Sequence, residues 1–236
     1  LEGRRRIGKT DLVKQLFKEH EDRLYFFVNL TETQLLFNEF SSSILEQIGL
    51  TTQFKSVKEF YLFLIQYSEK TRGKLLIVFD EFQRFNDVEK GFITGLQQAW
   101  DEHFKDNKKT MLVLSGSSIS LIKRLTAGSG APLHGRRSGQ WHLEPFKYAD
   151  FRLAFTEYSE EEKIRAYSIF GGTPHYFTQL PNAPNPVFLL EIRKTILEKG
   201  AQLREEPKEL FSSEARRSAR YNAILQAIAE GHRATT

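Results

Sequence analysis

The residues best suited to chemistry stand at the start of the chain. Gly3-Arg4-Arg5-Arg6-Ile7-Gly8-Lys9-Thr10 fits the pattern G-x-x-x-x-G-K-[ST] at every fixed position. Gly3 and Gly8 let the backbone curl, so that N–H groups across Arg4, Arg5, Arg6 and Ile7 can face inward around a phosphate. A helix opening at Gly8 and running on through Asp11 adds its unpaired N–H groups and the positive end of its dipole. Lys9 supplies a point charge for the β and γ phosphates, and the Thr10 hydroxyl supplies one ligand for Mg²⁺. The implied ligand is a nucleoside triphosphate, with ATP expected, and the implied metal is Mg²⁺.

A second group completes the chemistry. Leu75-Leu-Ile-Val-Phe79 ends in Asp80-Glu81. Asp80, at the carboxyl end of such a strand, can hold Mg²⁺ through water, and Glu81 can polarise an attacking water as general base. A strand that merely ends in surface acids is the plainer reading, and it loses ground to the phosphate loop upstream. A third apolar run, Leu112-Val-Leu114, ends in Ser115-Gly-Ser117-Ser118. Ser115 and Ser117 can reach a γ phosphate, or the serines can serve as N-caps of a following helix. Gly135-Arg136-Arg137 offers guanidinium groups of the kind that stabilise phosphoryl transfer, in cis or from a neighbouring subunit. Paired arginines on a solvated loop are the plainer reading.

These groups need elements to hold them. Residues 23–30, 74–82 and 110–118 read as strands, with 140–146 a weaker fourth. Runs apolar throughout mark strands buried on both faces of a parallel sheet. Helical spacing covers 8–20, 33–48, 56–69 and 88–104, the last as one long amphipathic helix. Alternation of this kind predicts βαβ units in a three-layer α/β domain. After residue 147 only helical patterns follow, over 147–155, 159–170, 173–180, 187–200 and 210–230, with a turn-rich break at 181–186. The expected organisation is a core over 1–146, an all-α lid over 147–208 and a further region beginning at 209–236.

Composition narrows the class. In 236 residues, 40% hydrophobic and 27% charged describe an ordinary globular chain. Cysteine is absent, which removes disulfides, thiolate metal sites and a Cys nucleophile and suits a reducing, cytoplasmic setting. No apolar run approaches the ~20 residues that cross a membrane. The six histidines fall in no metal-ligand pattern, and a Gly-x-Ser-x-Gly elbow is lacking. Asn107-Lys108-Lys109-Thr110 lacks the Asp of a guanine-reading motif and precedes its strand. The net charge of +4, with Arg216, Arg217 and Arg220 close together, motivates an alternative: an ATP-regulated DNA-binding module with little turnover of its own.

Taken together, GRRRIGKT at 3–10, LLIVFDEFQ at 75–83, LVLSGSS at 112–118, HGRRSG at 134–139 and FGGTPHYF at 170–177 resemble the archaeal-type ATPases of the STAND branch of P-loop NTPases, relatives of AAA+ and origin-recognition ATPases. The resemblance implies an ASCE-type parallel sheet of order 51432, in which one strand separates Walker B from the P-loop strand. It implies a serine sensor for the γ phosphate beside Walker B, and a lid motif at Gly172-Thr173-Pro174 whose Pro174 lies near the adenine. It also implies continuation into a C-terminal winged helix that would begin near residues 221–230 and offer a route to DNA; the expected role of the ATPase is a nucleotide-driven conformational switch, with a homo-oligomer as a partner to test for. Only Leu1 and Glu2 precede Gly3 where that family has its first strand, so the sequence reads as a fragment with an unpaired position in its sheet.

Overall fold

Residues 75–80 explain the architecture. In a strand, successive side chains point to opposite faces. Leu75, Ile77 and Phe79 join one hydrophobic cluster while Leu76 and Val78 join another on the other side. An unbroken apolar run is what a strand covered on both faces requires, and every residue of this one is buried. The computed structural model describes residues 1–18, 20, 22–180, 188–201, 203–206 and 218–231.

The chain divides into two compact units, the first ending at Glu144 and the second starting at Pro145. In the first, α1 (Lys9–Lys18), β1 (Asp22–Phe27), α2 (Thr33–Ile48), α3 (Val57–Lys70), β2 (Leu75–Asp80), α4 (Phe85–Val88), α5 (Gly91–Ala99), β3 (Thr110–Leu114) and α6 (Ile119–Thr126) follow one another. β1, β2 and β3 pair in parallel and in that order. The helix α1 supplies Val13 to the small cluster. Helices α2, α3 and α5 bury Phe37, Phe40, Phe60 and Phe92 in the large one. The result is a three-layer α/β unit.

Leu1 and Glu2 continue the sheet beyond β3. The Leu1 nitrogen donates to the Leu114 carbonyl (2.8 Å) and Gly116 N–H donates to the Leu1 carbonyl (3.2 Å). On the other side Glu2 N–H donates to Trp141 (2.9 Å) and Leu143 N–H donates to Glu2 (2.7 Å). Glu2 thus forms parallel bridges to both Gly116 and His142. Across the sheet the order runs β1, β2, β3, the Leu1–Glu2 segment, then residues 141–143, which is the 51432 arrangement.

Three expectations change. The position expected to be unpaired is filled at its carboxyl end by Leu1–Glu2. Residues 140–146 form no strand; they contribute an isolated bridge between His142 and Glu2. The long helix expected over 88–104 is broken. Glu89 is extended (φ −158°, ψ 110°) between α4 and α5, and Trp100–Phe104 winds as a π-helix. The helix α6 is the one the serine N-cap reading allowed: Ser118 stands at its N-cap position, without a side-chain capping bond.

The second unit has its own core. α7 (Tyr148–Ala154), α8 (Glu160–Phe170), α9 (Pro174–Phe177) and α10 (Phe188–Ile196) are followed by α11 (Ser218–Ala229). Phe151, Ala166 and Phe170 are buried with Tyr158, Leu180 and Leu203. Ser159 caps α8 reciprocally with Glu162. Gly172 is required by close approach: a Cβ there would lie 1.8 Å from the Phe146 carbonyl oxygen. The turn-rich break at 181–186 and residues 207–217, including Arg216 and Arg217, lie outside the described residues. No helix among the described residues is long and apolar enough to cross a membrane.

The large cluster turns on Phe60, which meets Phe26, Phe40 and Phe54 at ring-centroid distances of 5.3, 5.0 and 5.4 Å. Phe60→Ala should lower unfolding free energy by about 3–5 kcal/mol, measured by denaturant titration, because a ring-sized cavity opens in a packed interior. A change below about 1 kcal/mol would mean that the cluster collapses into the gap.

Candidate functional site

The loop at residues 3–8 is shaped by two residues in the left-handed region, Arg6 (φ 65°) and Gly8 (φ 89°). For Arg6, which has a Cβ, that conformation is strained, and such strain gathers where a loop must present its amides. Gly3 is pressed against residue 143, where a Cβ would meet the Leu143 carbonyl oxygen at 2.7 Å. Ile7 is buried and anchors the turn, whereas Arg4, Arg5 and Asp11 are exposed. Lys9, also buried, donates from Nζ to the carbonyls of Gly3 (2.8 Å) and Arg4 (2.7 Å). The ammonium is therefore held on the inner side of its own loop.

Asp80 closes β2 with only 2% of its surface exposed. Its Oδ2 accepts from Thr10 Oγ1 (2.9 Å) and from the Tyr25 hydroxyl (2.8 Å), and its Oδ1 accepts from Glu81 N–H (3.0 Å). All three donors are uncharged. Among the described residues no cluster of three His, Cys, Asp or Glu could cage a metal. Mg²⁺ usually takes one or two protein oxygens and completes its shell with water and phosphate. Thr10 and Asp80 fit that role.

Glu81 follows in a left-handed conformation (φ 54°). Its Oε2 accepts from Gln83 Nε2 (2.6 Å) and Ser117 Oγ (2.9 Å), with Arg84 Nε at 3.7 Å. Arg84 is itself steadied by the Val28 carbonyl (3.0 Å) and by the ring of Phe27. Ser115 is fully buried. Its backbone N–H donates to Phe79 and its carbonyl accepts from Phe82, while its hydroxyl has no partner among the described residues. Gln83 Oε1 is likewise buried without a partner and leans on Gly116, where a Cβ would lie 2.1 Å away.

The structure thus brings together Lys9, Thr10, Asp80, Glu81 and Ser117. Arg136 has another engagement. Its Nε and Nη2 form a two-pronged pair with Asp101 at 2.8 and 2.7 Å, and Nη1 donates to the Pro132 and His134 carbonyls. Arg137 is exposed. Pro174 opens α9 in the second unit. Sequence reasoning missed Tyr25. Nothing in the alternation of β1 sets it apart, since its contact with Asp80 crosses between strands. Gln83 was visible only as the last letter of its run. Burial, then the charge of Asp80, pushes the Tyr25 phenol well above its ordinary range, so it remains a donor.

Comparison with known proteins agrees with this geometry. A family described as an ATPase domain predominantly from Archaea matches residues 2–180. An uncharacterized protein of Methanocaldococcus jannaschii is 28% identical over 232 residues, which are 98% of this chain and 49% of that protein. The chain therefore spans about half the length of this curated relative. The Walker-type ATPase of Pyrococcus abyssi superposes with TM-score 0.65 at 21% identity, covering 98% of this chain and 74% of that one. The ORC2 protein of Aeropyrum pernix, solved as ADPNP–ADP complexes, gives 0.59 at 15%, with 98% and 68% covered. The ORC1 protein of the same organism, solved in complex with DNA, gives 0.53 at 13%, with 99% and 67% covered. These likenesses establish the fold.

The Arg136–Asp101 pair carries its own test. Arg136 holds the Asp101 carboxyl below its ordinary value, chiefly by hydrogen bonding. The contribution of the pair is complete above the ordinary carboxylate range and fades as pH falls through that lowered value. Arg136→Ala and Asp101→Asn should each lower the unfolding midpoint at neutral pH, and the double variant should lose no more than either single one. Additive losses would show that the two side chains act separately.

Proposed function

The chain belongs to the family of ATPase domains found predominantly in Archaea, and on that premise we propose that it binds ATP with Mg²⁺, hydrolyses it, and uses nucleotide state as a conformational switch. The observation that carries this reading is the 2.9 Å hydrogen bond between Thr10 and Asp80, residues 70 apart in sequence, with Glu81 immediately beside it. That contact joins the phosphate loop to the acidic end of β2, so groups for phosphate, cation and water converge on one place.

Each residue has a task that follows from its chemistry. The loop amides of residues 3–8 and the first turn of α1 bind phosphate oxygens. Lys9 turns its ammonium from the Gly3 and Arg4 carbonyls towards the β and γ phosphates as ATP enters. Thr10 and Asp80 would hold Mg²⁺, which would neutralise charge on the phosphate oxygens. Glu81 orients water and accepts its proton. Among the described residues the contacts of its carboxylate fall on Oε2, which leaves Oε1 as the accepting atom. Ser117 reads the γ phosphate by choosing between it and Glu81, and Ser115 supports the same strand end. Arg137, exposed, serves transition-state charge within the chain or in a neighbouring copy, while Arg136 holds the loop that carries it.

A second reading makes the chain an ATP-regulated DNA-binding module with little turnover of its own. One structural neighbour was solved in complex with DNA. This reading predicts a duplex affinity that falls steeply with salt.

Glu81→Gln separates the two. In the ATPase reading the variant keeps Mg²⁺-dependent ATP binding and loses about 100-fold or more in turnover, measured by phosphate release. Hydrolysis at the wild-type rate would remove Glu81 as the base. A wild-type chain that binds ATP and duplex DNA but releases no phosphate would favour the second reading.

A further inference from the structure

Asp80 is held from a side that the phosphate loop does not supply. Tyr25 lies on the edge strand β1, two residues short of its end, and reaches across to Asp80 on β2. Its hydroxyl donates to Oδ2, the same oxygen that accepts from Thr10. The backbone that carries Tyr25 is clamped as well. The Gln47 amide accepts from Tyr25 N–H (2.7 Å) and donates to the Tyr25 carbonyl (3.0 Å), pairing with the open edge as a neighbouring strand would. Gln47 Nε2 also donates to the Ser43 carbonyl (2.9 Å), which fixes it on α2. The ring meets Phe17 of α1 edge-on at 5.9 Å. Position is thus imposed from α2, α1 and β2 together.

We infer that Tyr25 is a positioning residue for the divalent cation: through Asp80 it sets how strongly Mg²⁺ supports ATP binding. The inference rests on the proposed Mg²⁺–ATP site. The torsion at the end of an Asp side chain is broad and soft, so a carboxylate is aimed by its hydrogen bonds rather than by its rotamer. Two donors on Oδ2 and one on Oδ1 lock the plane of this one. Without the Tyr25 hydroxyl, Oδ2 keeps, among the described residues, only Thr10, a side chain that the cation would also engage. The carboxylate can then turn, and the cation has to restore its orientation at the expense of affinity. A hydrogen bond to a charged group contributes about 1.5–3 kcal/mol, which corresponds to roughly tenfold or more in an equilibrium constant.

The test uses the whole chain and Tyr25→Phe, which removes the hydroxyl and keeps the ring against Phe17. ATP affinity is measured by calorimetry in a chelator and then across a Mg²⁺ titration. The expected result is unchanged affinity in the chelator and a rise of about tenfold in the Mg²⁺ concentration that half-saturates the gain. An unchanged or lowered Mg²⁺ requirement would overturn the inference, because the hydroxyl would then be idle or a competitor of the cation. An equal loss with and without Mg²⁺ would also overturn it, since a structural role alone acts that way. Gln47→Ala loosens the clamp without touching the hydroxyl and should shift the Mg²⁺ requirement in the same direction; it carries the test should Tyr25→Phe fail to fold. A wild-type chain whose ATP affinity is indifferent to Mg²⁺ would defeat the proposed cation site itself, and the inference with it, before any variant is compared.

Discussion

A carboxylate buried at the end of a strand must find hydrogen bonds inside the protein, since little of its surface meets bulk water. Asp80 is in that position. Leaving it unsatisfied would cost several kcal/mol, a large part of the net stability of a domain. Three donors meet the demand, and each comes from a different segment: the first turn of α1, the edge strand β1, and the backbone immediately following β2. The need to solvate one carboxyl group therefore ties the phosphate loop to the sheet. It also aims the hydroxyl of Thr10 and the oxygens of Asp80 at one small volume beside Glu81.

The sheet makes this arrangement possible. Parallel strands carry their carboxyl ends to the same edge, and the loops leaving that edge bear the reactive groups. β2 is buried on both faces, which fixes its register against β1 and β3. Leu1 and Glu2 complete the edge by bridging residues 116 and 142, so Gly3 starts the loop from a paired backbone rather than from a loose end. Glu81 in the left-handed region marks where the chain leaves the sheet abruptly, turning its carboxylate back towards Ser117 and Gln83.

Much of this was legible in the sequence, for identifiable reasons. Fixed spacing in residues 3–10 and an apolar run ending in acids at 75–81 are local signals, and they found the loop, Thr10, Asp80 and Glu81. Helical periodicity placed α2 at Thr33–Ile48 to the residue. Contacts that cross the fold were not legible. Tyr25 looks like any strand aromatic until β1 lies beside β2. Gln47 looks like a solvated helix residue until it meets the open edge of β1. Arg136 carried the chemistry of a phosphate contact, yet its fork closes on Asp101, 35 residues away. The pattern over 88–104 hid a break because apolar spacing survives it: Val88 and Trp100 pack against the same cluster that buries Phe92, Leu96 and Phe104. Residues 140–146 had the composition of a strand, yet they pair with Glu2 through a single bridge at His142.

The central claim is that these convergent groups form a nucleotide site centred on Lys9 and its loop. Calorimetric titration of ATP into the chain in excess Mg²⁺, set beside the Lys9→Ala variant, tests it most directly. The account predicts micromolar-range binding that is lost when the ammonium is removed, with the fold intact by circular dichroism. Binding of equal strength in both proteins, or none in the wild type, would contradict it.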